Sequence, residues 1–239
     1  MASYRLKLRD TTAPEPAFIG RMRRLGAAAP DLDGLAHAFG PSRMLPSRGI
    51  LAGEREASPQ ARVLHSGWAA RTRLLADGRR QILEILLPGD ILEPIGASIA
   101  FSQETTVALT EVEWATLDMA AFDGAALSEA RERVRALRLC YLHNQIGRLG
   151  RQTAYERMAH LMLELRDRLT LAGLNHANAF PMPLTQELLA DVLGLTTVHV
   201  NRTMQQLRRE SMFEVSRTGV VLLDPDMLAS ISDYARPRL

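Results

Sequence analysis

The spacing of apolar residues divides the chain into segments of different texture. Residues 48–117 carry apolar runs of strand length, and three glycines recur among them at 11-residue intervals, namely Gly67, Gly78 and Gly89. Short strands with evenly spaced turns are typical of a β-sandwich or barrel. The preceding residues contain only two short helix-like runs. The first half of the chain is therefore predicted to be a β domain with a small helical extension before it.

Turn signals divide this β segment into strands. Asp77-Gly78 predicts a hairpin with a type I′ turn, because aspartate and glycine tolerate the positive φ that this turn requires. Leu87–Asp90 predicts a second turn, in which proline presets φ and glycine permits φ > 0. The last two predicted strands are separated near Thr110-Glu111.

From residue 128 to residue 151 the pattern becomes that of a long helix. Residues of one face recur at alternating steps of three and four: Glu132, Arg135, Leu139, Leu142, Ile146 and Leu149. The last four form an apolar a/d seam, which favours a two-helix coil joining two copies of the chain. A helix packed on its own β domain is the alternative that the pattern leaves open.

Two glycines near the end of this helix predict an interruption. Gly147 and Gly150 each destabilise a helix interior by about 1 kcal/mol relative to alanine. The interruption is a candidate pivot between two parts of the molecule. Residues 154–173 predict a further helix, which ends at Gly173.

The segment LTQELLADVLGLTTVHVNRTMQQLRRE, residues 184–210, joins two short helical patterns through a tight turn. Thr185 and Thr196 are suited to cap the two helices, because a threonine hydroxyl accepts a hydrogen bond from a free backbone N–H. Gly194 lies where the chain must reverse, and glycine adopts the left-handed conformation at little cost. The segment therefore predicts a helix–turn–helix.

The second of these helices is predicted to present a polar face to solvent. Val200, Met204 and Leu207 form its predicted inner face. The residues left on the outer face near its N-terminus are Thr197, Val198, Asn201 and Arg202. This part of a recognition helix reaches DNA base edges. A strand–turn–strand pattern about Thr218-Gly219 follows and predicts a winged helix–turn–helix, with a polar helical hairpin of other function as the alternative.

Composition narrows the possible classes of protein. The chain has 239 residues, of which 46% are hydrophobic and 23% charged, as in ordinary globular proteins. No apolar run reaches the length of a membrane span, and the N-terminus lacks an apolar signal region. A single cysteine, Cys140, excludes an intramolecular disulfide and a four-thiolate iron–sulfur cluster. A reducing cytoplasm is expected.

Net charge does not by itself indicate nucleic acid. The formal charge is +2, and Lys7 is the only lysine, so the arginine content can reflect a G+C-rich genome. Within residues 184–210 the acidic and basic side chains balance. A DNA-binding hypothesis therefore rests on geometry rather than on bulk charge.

The order of a β-roll, a long dimer helix and a winged helix–turn–helix resembles the Crp/Fnr family of bacterial transcription regulators. The resemblance spans roughly residues 45–225 and is densest in GWAARTRLLADGRRQILEILLPGD and in residues 184–210. It implies an α+β fold with a cyclic-nucleotide-binding-like β-roll, that is, a double-stranded β-helix. It also implies a homodimer that binds double-stranded DNA with palindromic half-sites and contacts RNA polymerase. The implied parts are residues 1–125 with the sensor, 126–153 with the dimerisation helix and hinge, and 154–239 with the DNA-binding domain.

The resemblance assigns roles on the recognition helix. It implies that Arg202 reads guanine, that Thr197 and Asn201 touch bases or nearby backbone, and that His199 touches phosphate. Val198 departs from better-known members, which carry a glutamate that accepts a bond from cytosine, whereas valine can pack on a thymine methyl. The full set of predicted DNA contacts is Thr185, Thr196, Thr197, Val198, His199, Asn201 and Arg202. A metal at His199 is not expected, because no second histidine lies three or four residues later.

The effector cannot be assigned from the pattern. Cyclic-nucleotide binders of the family hold the phosphate with an Arg-Ser or Arg-Thr pair, but Glu104-Thr105 stands there, and Glu93 alone signals little. Tight cyclic-AMP binding is therefore not expected, since a carboxylate repels a phosphate. Haem is an alternative, with His65, Cys140 or His143 as axial ligand, and a redox role for Cys140 and action without any ligand also stay open.

Two other classes of function are weighed against a regulator. A cupin-like enzyme would need a His-x-His pair with further ligands inside the barrel, but residues 48–117 contain only His65. No nucleophile–base order or phosphate loop occurs elsewhere, so no enzyme is expected. A scaffold that uses the coil only to dimerise is the third class, and loss of operator binding on Arg202→Ala separates it from a regulator.

Overall fold

The computed structural model describes residues 16–54, 60–93, 104–216 and 219–237. Two short helices come first, α1 (Ala17–Arg24) and α2 (Ala29–Ala36). Eight strands follow: β1 (Arg43–Leu45), β2 (Ile50–Ala52), β3 (Ala61–Ser66), β4 (Ala69–Leu74), β5 (Arg80–Leu86), β6 (Ile91–Leu92), β7 (Thr105–Ala108) and β8 (Val112–Leu117). A short 3-10 turn at Met119–Phe122 closes this part of the chain.

The strands form two four-stranded antiparallel sheets that face each other. Their orders are β1-β8-β3-β6 and β2-β7-β4-β5. Leu64, Leu86 and Val112 are buried in the cluster between the sheets. The predicted β-roll is therefore confirmed. The two strands that meet near Thr110-Glu111 lie in different sheets and do not pair with each other.

The first predicted hairpin is present, but its turn is not type I′. Strands β4 and β5 pair antiparallel, and Gly78 has φ +85° while Asp77 does not adopt positive φ. The Leu75 carbonyl accepts from Gly78 N at 3.0 Å, so a type I turn precedes a left-handed glycine. Asp77 instead accepts the Arg79 backbone N–H through its carboxylate at 3.1 Å. At the second turn, Gly89 has φ +88°, as the sequence predicts.

Helix α3 (Ala125–Arg151) runs without a break through both of its predicted interruptions. The prediction that Gly147 and Gly150 interrupt it is wrong, because buried side chains beside them fix the last turns. Gln145 donates to the Val192 carbonyl at 2.6 Å, and Arg148 donates to Glu164 at 2.7 Å. The chain changes direction after the end of α3, at Gln152 and Thr153.

Helix α4 (Ala154–Ala172) begins at a capping box and ends at a glycine. Thr153 accepts from Glu156 N, and Glu156 accepts from Thr153 N at 2.7 Å. Gly173 has φ +76°, which ends the helix as predicted.

The C-terminal part contains the predicted helix–turn–helix and more strands than predicted. Its elements are β9 (Ala179–Phe180), α5 (Gln186–Leu193), α6 (Thr197–Arg209), β10 (Phe213–Val215), β11 (Val220–Leu222) and α7 (Pro225–Ser232). The predicted loop after α4 contains β9, which adds a third strand to the wing in the order β10-β11-β9. Helix α7 was not predicted, and Thr218 of the predicted wing turn lies outside the described residues.

Helix α1 joins the two halves of the molecule. Phe18 and Met22 are buried, and Arg21 contacts Asp90 of the second turn in the roll. Asp90 also accepts from Arg168 of α4 at 2.8 Å. One buried carboxylate is thus shared by guanidinium groups of the N-terminal helix and of α4. Within the described residues, no helix is long and apolar enough to cross a membrane.

Candidate nucleic-acid interface

The caps and the turn of the helix–turn–helix are those that the sequence predicts. Thr185 Oγ1 accepts from Leu188 N at 3.2 Å, and Thr196 Oγ1 accepts from His199 N at 3.2 Å. Gly194 adopts the left-handed conformation, with φ 61° and ψ 39°. A Cβ on Gly194 would lie 3.1 Å from Leu149 Cδ2. The sharp turn between α5 and α6 therefore favours glycine for its backbone, and a Cβ there would also press on the end of the Leu149 side chain of α3.

Helix α6 has a buried face that fixes its rotation about its own axis. Val200 and Leu207 are fully buried, and Thr203 is also buried. Met204, predicted for the inner face, is only half-buried and packs at the margin of the core. With this face turned inward, the opposite face of the helix is presented to solvent.

That outer face carries the predicted DNA contacts. Thr197, His199 and Arg202 are exposed, and Asn201 is half-buried. Val198 is 56% exposed, although it is apolar. Thr185 and Thr196 are exposed at the two helix starts. Within the described part of the chain, no hydrogen bond or ion pair involves the Arg202 guanidinium. All five of its N–H donors are therefore available to an external acceptor.

A chain of amides crosses this face from α5 to α6. Asn201 Nδ2 donates to Gln186 Oε1 at 3.2 Å. Gln205 Nε2, one turn later on α6, donates to Asn201 Oδ1 at 2.7 Å. The sequence analysis did not single out Gln186 or Gln205. Two local signals point to these glutamines. Gln205 lies four residues after Asn201 on α6, and Gln186 is the first residue of α5.

The carboxyl-terminal end of α5 is held by side chains from three other elements. Gln81 of β5 donates to the Asp191 carbonyl at 2.8 Å. Arg157 of α4 donates to the Leu193 carbonyl at 2.8 Å, and Gln145 of α3 holds the carbonyl between these two. The last carbonyls of a helix lack partners within the helix, so these bonds satisfy them and tie α5 to the roll and to α3.

An ion pair strengthens this contact between the roll and α5. Arg80 of β5 contacts the Asp191 carboxylate through Nε at 2.8 Å and through Nη2 at 2.5 Å. Both nitrogens donate to one oxygen, Asp191 Oδ2, so a single acceptor atom of α5 is held by the arginine of β5. No spacing in the sequence predicts this contact, because its two residues are 111 positions apart.

The α4 side of α6 is anchored at its C-terminal end. The Tyr155 hydroxyl donates to Glu210, and burial together with this carboxylate raises the pKa of Tyr155 to about 12. Arg208 and Arg209 are exposed beside a groove between α6 and β10. The end of α6 therefore combines a fixed backbone with two solvent-facing cations.

In the β-roll, acidic and basic side chains pair with one another beside α3. Glu104 lies 3.7 Å from Arg71 Nη1. Arg71 Nε lies 2.9 Å from Glu84, which also accepts from Arg138 of α3 at 3.0 Å. The two arginines, Arg71 and Arg138, are therefore balanced by two carboxylates, Glu84 and Glu104, between the roll and α3.

Glu93, weighed in the sequence analysis as a ribose ligand, is also engaged by α3. It accepts from Arg131 at 2.9 Å and from Arg135 at 3.0 Å. Burial opposes its ionisation, but the hydrogen bonds from the two arginines outweigh that effect and hold the pKa of Glu93 below its ordinary value. A small cavity of about 30 Å³ lies beside this pair.

The residues considered as haem ligands lie on different surfaces. His65 is half-buried in β3, with its ring centroid 5.1 Å from that of Phe39. Burial lowers the pKa of His65, and Glu113 partly offsets the effect. Cys140 and His143 are exposed on α3. In the residues that the structure describes, no three His, Cys, Asp or Glu side chains form a cluster suited to a metal ion.

The predicted seam of α3 divides into two pairs. Leu139 is 53% exposed and Ile146 is 68% exposed. Leu142 and Leu149 are half-buried against their own chain, Leu142 beside the roll and Leu149 beside Gly194. The exposed apolar face of α3 therefore runs through the first pair.

Known proteins resemble both the C-terminal part and most of the chain. Residues 156–231 match a family model described as the Crp-like helix-turn-helix domain. The transcriptional activatory protein AadR of Rhodopseudomonas palustris is 32% identical over 198 residues, which cover 78% of this chain and 77% of that protein. The nitrogen fixation regulation protein FixK of Bradyrhizobium diazoefficiens is 31% identical over 166 residues, covering 67% of this chain and 68% of that protein.

The same similarity is seen among solved structures. The structure of FixK2 from Bradyrhizobium japonicum matches with a TM-score of 0.67 and 25% identity, covering 82% of this chain and 98% of that chain. The relatives are regulators of transcription rather than enzymes, which confirms the prediction that this chain is not a cupin-like enzyme.

Proposed function

Because this chain belongs to the Crp/Fnr family of transcription regulators, we propose that it binds a palindromic DNA site as a homodimer, through the outer face of α6. The observation that carries the proposal is the position of Arg202. Its guanidinium is exposed and unpaired within the described residues, and it lies on the side of α6 opposite the buried Val200 and Leu207. A free guanidinium fork suits the O6 and N7 atoms of guanine.

This proposal assigns a function to each part of the chain. Residues 1–125 contain the sensor, 126–153 the dimerisation helix and hinge, and 154–239 the DNA-binding domain. Dimerisation through α3 would set two recognition helices about 34 Å apart, which is the separation of two half-sites by one turn of DNA. One of the two relatives is named as a transcriptional activator and the other as a regulation protein, which supports contact with RNA polymerase as a further step. In vitro transcription from a selected site would test this contact.

Replacement of the proposed guanine reader tests the DNA-binding function. The wild-type protein should select a palindromic sequence from a random pool, and Arg202→Ala should weaken binding to it by roughly 10- to 100-fold, because a good bidentate contact contributes about 1–3 kcal/mol. Fluorescence anisotropy at fixed salt measures the two dissociation constants. Arg79→Ala removes the same charge from an exposed hairpin of the roll and should change affinity little. Equal affinity of wild type and Arg202→Ala would refute the proposal.

The selected sequence also tests the role of Val198. The half-site should keep the guanine read by Arg202 and should differ at the base pair that a glutamate would specify. An exposed valine cannot accept a bond from cytosine but can contact a thymine methyl. A strong requirement for cytosine at that position would contradict this assignment.

We further propose that the regulator does not respond to cyclic AMP. Glu104 faces Arg71, and Glu84 links Arg71 to Arg138 of α3, so the cations nearest to the expected phosphate position are already neutralised. Isothermal calorimetry with cyclic AMP should show no saturable binding. A dissociation constant in the micromolar range or below would overturn this proposal.

A further inference from the structure

The amide chain Gln186–Asn201–Gln205 joins the two helices of the helix–turn–helix on their solvent side. Each asparagine amide offers two N–H donors and two acceptor positions. Asn201 uses one donor on Gln186 Oε1 and one acceptor position for Gln205 Nε2, at 3.2 and 2.7 Å. One donor and one acceptor position of Asn201 therefore remain, and the orientation of its amide plane is set by two neighbours.

A fixed amide plane matters for reading a base. Asparagine recognises adenine by accepting from N6 and donating to N7 at once. Both contacts form only when the amide plane lies in the plane of the base, so an asparagine free to rotate must give up that freedom on binding. Since Asn201 is partly exposed on α6, one residue before Arg202, its remaining donor and acceptor are available for such a contact.

Gln186 has a second function available to it. Its oxygen accepts from Asn201, and within the described residues its amide N–H groups have no partner. Gln186 is the first residue of α5, next to the exposed Thr185. N–H groups at the start of this helix are suited to a DNA phosphate, which accepts from helix N-termini and from glutamine side chains.

We propose that Gln186 is a positioning residue for base recognition: it orients Asn201 to read adenine while its own amide N–H groups contact the DNA backbone. This inference rests on the proposed function, because it requires that α6 enter the major groove. Gln205 supports the same orientation from one turn further along α6. Sequence preference at one base pair would then depend on a residue of α5 that touches no base.

The test begins by locating the base pair that Asn201 reads. It is the position of the selected half-site at which Asn201→Ala abolishes the preference for one base, while the guanine preference that depends on Arg202 persists. The discrimination ratio is the dissociation constant for the next-best base divided by that for the best base. Gln186→Ala should lower this ratio by about 3- to 10-fold, and the double variant Gln186→Ala, Asn201→Ala should lose no more than Asn201→Ala alone.

A conservative variant separates positioning from phosphate contact. Gln186→Glu keeps an oxygen that accepts from Asn201, so the discrimination ratio should stay within twofold of wild type. The added negative charge should weaken binding to every sequence, by roughly tenfold. Glu187→Ala, an exposed neighbour in the same turn, should leave the ratio unchanged and serves as the matched control.

The outcomes distinguish this inference from the proposed function. An unchanged ratio in Gln186→Ala, independent effects in the double variant, or equal losses in Gln186→Ala and Gln186→Glu would overturn the positioning role while DNA binding stands. A wild-type protein that selects no sequence would overturn both.

Discussion

His160 shows how a single buried side chain can make the stability of this protein depend on pH. It lies on α4 with its ring centroid 4.9 Å from that of Tyr234, and its Nδ1 lies 3.0 Å from the Arg148 guanidinium. Burial, and then the charge of Arg148, lower the pKa of His160 to about 4. Above pH 6.5 the ring is neutral in both folded and unfolded chains. Between about pH 6.5 and 4 the unfolded chain binds the proton more readily, so stability falls as the pH falls.

At this residue scale, we expect wild type to lose about 2 kcal/mol of unfolding free energy to His160 between pH 7 and pH 5. Urea denaturation at the two pH values measures the difference. His160→Gln retains a side-chain acceptor for Arg148 but cannot titrate, so it should show a smaller pH dependence. The same pH dependence in both proteins would show that His160 is not responsible.

At the scale of elements, α5 depends on side chains that belong to other parts of the fold. Without Gln81 the Asp191 carbonyl would lose its 2.8 Å hydrogen bond. Gln81→Ala should therefore reduce the unfolding free energy by about 1–2 kcal/mol, the cost of leaving such a group unsatisfied, and should raise hydrogen exchange within α5. Gln206→Ala removes a side chain that, among the described residues, bonds only to the exposed Glu210, and it should cost less than about 0.5 kcal/mol. Equal effects of the two variants would argue against the contact.

At the scale of the whole molecule, α3 presents an apolar face that its own chain leaves uncovered. Ile146 is 68% exposed, although it is a large apolar residue and lies between the buried Gln145 and Arg148 in the last turns of α3. If α3 is the dimer interface, Ile146→Glu should convert the protein to a 26.5 kDa monomer, because an unpaired charge cannot be buried between two helices. Light scattering after gel filtration measures the mass. Leu74→Glu, at a 72% exposed position on the roll, should leave it unchanged.

The elements that could be predicted from the sequence are those whose signals are local. The outward position of Arg202 follows from the helical period of Val200 and Leu207 and from the caps at Thr185 and Thr196, all of which lie within one short segment. The C-terminal end of α3 is harder to predict from the sequence. Its glycines argue locally for a break, whereas the contacts that continue the helix come from α4 and α5, through Glu164 and the Val192 carbonyl.

The elements that differ from the prediction fall into two groups. Some have no local sequence pattern, and others have a local signal that competes with the predicted one or that the prediction left out. Strand β9 has two residues, too few for an alternating pattern, and its partner lies about forty residues later. The turn at Asp77 was assigned wrongly because its carboxylate bonds to the backbone two residues on, which favours a different turn. Helix α7 does carry a signal, since Asp224 caps it and Pro225 is its first residue. The contact of Arg80 with Asp191 joins residues 111 positions apart, and no periodic pattern in the sequence predicts such a pair.

The Asp90 carboxylate, held between Arg21 and Arg168, bears on how the chain can be dissected. A fragment beginning at residue 154 would separate Arg168 from Asp90 and Glu164 from Arg148, although all four side chains are buried in the intact protein. Burial opposes ionisation of Asp90, yet the two arginines hold its pKa below the ordinary value, so the charges persist. In the fragment, Glu164 and Arg168 would be left with their contact with each other at 3.7 Å. An isolated DNA-binding fragment would thus expose a charged surface of α4 to solvent. Chimeras that exchange the β-roll between relatives would need to carry α1 and the Asp90 turn as a matched set with α4.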